Sequence, residues 1–344
     1  MAAELSSRER VLRLFRKEEI DRIPVFSGMG NVTIHGLEKY GWNFPEIHTD
    51  ARKMAGMAAS TFQIFGFECA VVPIDLGVEA EALGAGVNFY PAHTDIIYPT
   101  ISRKVAEKVT DLNIQIPSEL AGAGRIPLVV QAIGHLKEEV GDQVAIGASV
   151  LGPYTLAGQL VDLSDLAKSS FKRTDMVDDI LDTLAGVLID ICRIYREAGA
   201  DYVTVREMGA GADILNPRMF TSLITPHLTR IFSAIELPNV LHICGDTDSI
   251  VDQMAGCGAD AISIEQKNHV AESRKILGPD TLILGNIDAY QVLARGKPAD
   301  IDEAVKQAIA DGVDAIWPGC DIWPTVPREN MEALMAAARK YGKL

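Results

Sequence analysis

The stretch NVLHICGDTD, residues 239–248, places His242 and Cys244 one residue apart at the end of an apolar run that breaks on Gly245. In an extended strand, residues i and i+2 point to the same side, so this imidazole and thiol can face one ion. A third soft donor, Cys320, follows in PGCDIWP. Two thiolates and one imidazole are a zinc set, and three protein ligands leave a fourth position for substrate, the catalytic rather than the structural pattern. Taken singly, each residue has a plainer reading. His-x-Cys on a buried strand is ordinary packing, and Cys320 alone is an ordinary turn cysteine. The remaining cysteines, Cys69, Cys192 and Cys257, fall at a strand start, in mid-helix and at a helix-to-strand joint, and read as buried. Five widely spaced cysteines without an export signal imply reduced thiols, available to metal.

The elements that must position these residues recur as short apolar β-rich runs followed by helical stretches. The runs are 23–27, 69–74, 144–149, 201–206, 239–244, 260–265, 281–286 and 314–319. Helical spacing fills the gaps, as in 175–200 and 301–313. The joints EAGADYV, GCGADAI and ADGVDAI each put a glycine where a left-handed helix cap is expected before a strand. Eight strands alternating with helices predict an α/β fold, a single (β/α)8 TIM barrel over 1–344, with 1–20 as a helix outside the repeat. A doubly wound sheet is the alternative, but no Gly-rich phosphate loop follows any strand. The long gap from 74 to 144 is expected to hold a small hairpin or lid, VNFYPAHTDIIYPTIS.

In such barrels the chemistry lies at the C-terminal strand ends. Those ends carry Asp75, Ser149, Arg206 with Glu207, His242 with Cys244, Glu265, Asn286 with Asp288, and Cys320. The 344-residue chain has a net charge of −15, which argues against a nucleic-acid partner. No apolar run approaches a membrane span, and the N-terminus lacks a signal-peptide core, so the cytoplasm is expected.

VLHICGDTDSIVDQMAGCGADAISIEQK, LILGNIDAY and PGCDIWPTVPRENMEAL resemble the methylcobamide:coenzyme M methyltransferases of the uroporphyrinogen decarboxylase superfamily. DRIPV, VEAEALGAGVNFY and GRIPLVVQAIGHLKEEVG extend the likeness over nearly the whole chain. The resemblance implies a (β/α)8 barrel with zinc on His242, Cys244 and Cys320. It also implies a glutamate, Glu265, that holds zinc when no thiol is bound. The implied reaction moves a methyl group from a methylated corrinoid to a thiol. Metal binding lowers the thiol pKa, and the resulting thiolate is the nucleophile. Glu265 is then placed to accept the thiol proton. The corrinoid is implied to arrive on a separate small corrinoid protein. Asp75, Asn286 and Asp288 are rim candidates for corrinoid or substrate contact, although each also suits a turn or cap.

Some residues depart from the resembled pattern. The decarboxylases carry an arginine-rich stretch where this chain reads VFSGMGNVTIHG, so a tetrapyrrole with many carboxylates has no evident grip. The coenzyme M enzymes have an uncharged residue followed by Asp-Pro where this chain has Arg206 and Glu207, and smaller residues where it has Asp321 and Trp323. Arg206 could bind an anionic acceptor tail or pair with Glu207 or another barrel acid. Trp323 could offer a flat platform to corrinoid or pterin. The acceptor therefore stays open between coenzyme M, another thiol and tetrahydrofolate. Further alternatives are an enzyme loading methyl onto the corrinoid, a metal-free decarboxylase and a non-catalytic corrinoid-protein scaffold.

Overall fold

A computed structural model describes residues 4–93, 95–236 and 238–343. Its strands, in chain order, are β1 (Cys69–Val72), β2 (Gly86–Asn88), β3 (Thr100–Arg103), β4 (Ala145–Leu151), β5 (Tyr202–Arg206), β6 (Asn239–His242), β7 (Ala261–Ser263), β8 (Leu282–Ile287) and β9 (Ala315–Pro318). Seven of them, β1-β4-β5-β6-β7-β8-β9, form one curled parallel sheet in which each neighbour is the next in the chain. Parallel neighbours require crossover connections, and these are helical, as with Thr174–Ala198 between β4 and β5 and Pro298–Asp311 between β8 and β9. Gly199, Gly258 and Gly312, the three joint glycines, all take positive φ, at 111°, 88° and 99°.

The eighth predicted strand, 23–27, is reduced to a bridge between Val25 and Ile316. It nevertheless closes the sheet. Ile316 N donates to Pro24 O at 2.9 Å, Phe26 N to Ile316 O at 3.2 Å, and on the other side Glu68 N to Val25 O at 2.8 Å. Two features prevent a regular ladder. Pro24 has no N–H, and two neighbouring amides find side chains instead: Val25 N donates to Glu68 Oε2 at 2.8 Å and Ser27 N to Cys69 Sγ at 3.2 Å. The result is a TIM-barrel-like fold with one seam held by three backbone hydrogen bonds and two to side chains.

Inside the lower barrel, Phe26 packs edge-on to Trp317 with centroids 5.0 Å apart, and to Tyr202 at 5.8 Å. The first helix, Ser7–Phe15, lies outside the β/α repeat, as expected, and covers the N-terminal end of the barrel. Ser6 caps it, accepting from Glu9 N at 3.1 Å, and Val11, Leu14 and Phe15 bury its apolar face. Arg8 N donates to Gln143 O ahead of β4, and the Arg8 guanidinium pairs with Asp201 ahead of β5. Arg10 and Arg22 both pair with the fully buried Glu68 ahead of β1.

The gap between β1 and β4 holds the expected hairpin: β2 and β3 pair antiparallel, with residue 94 outside the described residues. Among the described residues, no helix is long and apolar enough to cross a membrane.

Candidate functional site

Sheet register explains how the site is assembled. Arg206 of β5 pairs in register with His242 of β6, and His242 with Ser263 of β7, so the three lie in one row across the barrel. β6 and β7 end at this row. Cys244 and Glu265 therefore sit just past the ladder, on the loops, which makes the observed strands shorter than the predicted 239–244 and 260–265.

His242 is fully buried. Its Nδ1 lies 3.0 Å from Ser263 Oγ, and its Nε2 lies 3.0 Å from Cys244 Sγ. With the proton on Nδ1 donated to Ser263, the Nε2 lone pair faces the thiol. Burial, helped by the Arg206 charge, pushes the imidazole down to about 3, so it stays neutral and able to act as a ligand. Cys244 Sγ and Cys320 Sγ lie 3.9 Å apart. The hydrogen bond between them splits the pair, holding Cys320 below the ordinary thiol range and Cys244 above it.

The structure brings Cys320 of the β9 end to the Cys244 thiol of the β6 end. Among the described residues, it brings no carboxylate into contact with them. Glu265 Oε2 accepts from the Gly245 amide and its Oε1 accepts from Gln266 Nε2 at 3.0 Å, so this carboxylate holds the loop after Cys244. Among the described residues, no group of three or more His, Cys, Asp or Glu side chains is arranged as a ready-made metal cage. The donor set still suits zinc in kind: a neutral imidazole fixed from behind by Ser263, with two soft sulfurs beside it.

The other predicted residues divide between several places. Arg206 is buried, and its Nη2 donates to Asp321 Oδ2 at 2.6 Å. The internal partner is thus Asp321 and not Glu207. Glu207 is fully buried and caps the helix Pro153–Leu160, accepting from Tyr154 N at 2.9 Å and Thr155 N at 2.7 Å. Burial raises its carboxyl to about 7.

Asp75 is not on the rim. It is buried, bound by both Arg125 Nη atoms at 2.6 and 2.9 Å, by His48 Nδ1 at 2.9 Å and by Gly77 N at 2.9 Å. Asp288 caps the short helix Ala289–Ala294 through Tyr290 N and Gln291 N. Asn286 donates to Asn268 O at 3.1 Å. Asn286 and Asp288 both line a cavity of about 410 Å³ with Gln266 and His269, separate from the one at Cys320.

Cys320 opens into a different cavity, of about 400 Å³, walled by Ile96, Tyr98, Asp321 and Trp323. Ile96 and Tyr98 lie between β2 and β3, so the hairpin region does wall the barrel mouth. Trp323 is half exposed, its ring centroid 4.7 Å from that of Tyr290.

Sequence reading missed Ser263, Tyr98 and Asn268. Asn268 Nδ2 donates to Gly245 O at 3.0 Å while its Oδ1 accepts from Thr247 N at 2.8 Å, pinning the Cys244 loop. Ser263 stands two residues before Glu265 at the strand end, and that spacing was a usable signal. Tyr98 lies in the stretch expected as a hairpin or lid but was not singled out, and Asn268 carried no signal.

The uroporphyrinogen decarboxylase (URO-D) family model matches residues 6–341. The methylcobamide:CoM methyltransferase MtaA of Methanosarcina barkeri is 32% identical over 340 residues, covering 98% of this chain and 99% of its own. The methylcobamide:CoM methyltransferase MtbA of Methanosarcina acetivorans is 28% identical over 341 residues, again covering 98% and 99%. A solved structure described as a methyltransferase from Methanosarcina mazei superimposes with a TM-score of 0.92 at 30% identity, covering 98% of this chain and 99% of its own.

Proposed function

This chain belongs to the uroporphyrinogen decarboxylase family, on the side of its corrinoid-dependent methyltransferases, and from that premise we propose that it moves a methyl group from a methylated corrinoid to a thiol held on zinc by His242, Cys244 and Cys320. The observation that carries this reading is the meeting of the three residues from two distant strand ends, with Cys244 Sγ 3.0 Å from His242 Nε2 and 3.9 Å from Cys320 Sγ. Coenzyme M is the acceptor named for the relatives. Zinc, when bound, lowers the pKa of a bound thiol so that the thiolate is available at neutral pH.

The chain's own residues supply the rest. Ser263 orients His242. Burial keeps that imidazole neutral, so no proton competes for Nε2. Glu265 holds the Gly245 amide, and with it the loop carrying Cys244, and is assigned the proton leaving the incoming thiol. The cavity at Cys320 receives the acceptor, and the half-exposed Trp323 beside it offers a flat face to the corrinoid brought by a small corrinoid protein. That same face favours a second reading, in which a flat pterin of tetrahydrofolate takes the acceptor's place.

The test is zinc content followed by methylcobalamin absorbance with coenzyme M, homocysteine and tetrahydrofolate in turn. About one zinc per chain and conversion to cob(I)alamin with a thiol are expected. Conversion with tetrahydrofolate alone would select the second reading. A zinc-loaded protein that converts with none of the three would contradict both.

A further inference from the structure

The far end of the acceptor must lie in the cavity onto which Cys320 opens, and one ion pair sets that cavity's charge. Arg206 is only 2% exposed, and its Nη2 donates to Asp321 Oδ2 at 2.6 Å. Asp321 is about one-third exposed, its side chain at 34%, and it is the one charged residue lining the cavity among the described residues. The remaining wall is Ile96, Tyr98, Ile322 and Trp323 with neighbouring small or apolar groups. The guanidinium therefore reaches the cavity only through a carboxylate. An incoming sulfonate or carboxylate tail meets Asp321 first and must displace it to reach Arg206. An ammonium tail meets an acceptor that Arg206 has already oriented, and the partly desolvated wall amplifies both effects.

We propose that Asp321 determines acceptor specificity, and that the thiol accepted here is a short aminothiol, sulfur toward Cys320 and ammonium on Asp321, rather than a thiol with an anionic tail. The inference rests on the thiol-acceptor reading above. It also predicts an inversion. The Arg206 Nε–H is already buried without a hydrogen-bond partner. Removing the Asp321 charge frees Nη2 as well and leaves a cation suited to an oxyanion.

The experiment uses zinc-loaded protein without methyl donor and measures Kd by calorimetry for three two-carbon thiols: cysteamine, 2-mercaptoethanol and 2-mercaptoethanesulfonate. Each is compared between parent and D321N, so that the thiols' own acidities cancel in the ratio. D321N is expected to weaken cysteamine about tenfold, to strengthen 2-mercaptoethanesulfonate about tenfold and to leave 2-mercaptoethanol nearly unchanged, the scale of one charge-assisted hydrogen bond. D321S, with a thermal melt on both variants, should give the same signs. If D321N weakens the sulfonate, or shifts all three thiols alike, Asp321 is a structural partner of Arg206 and the inference is wrong. A zinc-loaded parent that binds none of the three overturns the thiol-acceptor reading itself, and the inference with it.

Discussion

Two polar clusters follow the barrel strands, a buried one past β1 and one at the mouth past β6 and β9. In the first, Asp75 takes four hydrogen bonds, from two Arg125 nitrogens, His48 and Gly77, and Arg125 also pairs with Glu81. Asp75 and His48 are buried, every oxygen of Asp75 has a partner, and His48 Nε2 is the atom left over. In the second, a neutral imidazole and two thiols meet with few partners besides each other, beside an open cavity. Both clusters are rich in ionisable groups at strand ends, so residue type and position alone do not separate them. Saturation does. A cluster whose charges are mutually spent holds the barrel together, and one whose donors are left over can take something in.

The sharpest way to break this contrast is to remove a donor from the open cluster. Cys320→Ser should cut zinc-dependent methyl transfer on the order of a thousandfold while the melting temperature barely moves. Zinc content per chain and methylcobalamin conversion check it, and an active C320S would erase the distinction between the corners. The saturated cluster should respond in the opposite way. Asp75→Asn strands a buried Arg125 and should cost about 3 kcal/mol of stability, read by denaturant unfolding, with activity per folded molecule preserved.

The same corner holds Glu79, fully buried, which accepts from Leu151 N at 3.1 Å. Burial raises its carboxyl to about 7. Because the folded state keeps the proton that the unfolded state releases above about 4.5, its stabilising contribution is complete below that pH. It is lost as pH rises to about 7. Glu79→Gln should remove this decline, so that the parent-minus-variant stability difference changes by about 2–3 kcal/mol between pH 4.5 and 7. A difference independent of pH would show that Glu79 does not titrate there.

Smaller effects sharpen the open cluster. Ser263→Ala releases the back of the His242 ring and should lower zinc affinity about tenfold, measured by competition with a chelator. An unchanged affinity would leave the imidazole oriented by something else. Trp323→Ala should raise the KM for methylcobalamin about threefold with little change in kcat, and a selective effect on tetrahydrofolate instead would favour the pterin reading.

Much of this was legible in the chain. Short apolar runs, three of them preceded by a capping glycine, marked the seven strands of the sheet, and the strand-end rule carried His242, Cys244 and Cys320 to one edge. Closure by 23–27 was foreseen in place but not in form, since Pro24 lacks an N–H and the Val25 and Ser27 amides donate to the Glu68 and Cys69 side chains instead of to a ladder. What the sequence hid was pairing across the barrel. Arg206 and Asp321 are separated by 115 positions, and no periodicity tells that they pair. The same applies to Asp75 with Arg125. Glu207, adjacent to Arg206, points the other way because a helix N-terminus offers it two amides.

X-ray absorption at the zinc edge, recorded on the zinc-loaded protein before and after adding a thiol, tests the proposed zinc site most directly. With His242, Cys244 and Cys320 as ligands, the resting shell should hold two sulfurs and one imidazole nitrogen, and one more sulfur after the thiol is added. A shell lacking the two cysteine sulfurs, or one that thiol leaves unchanged, would contradict it.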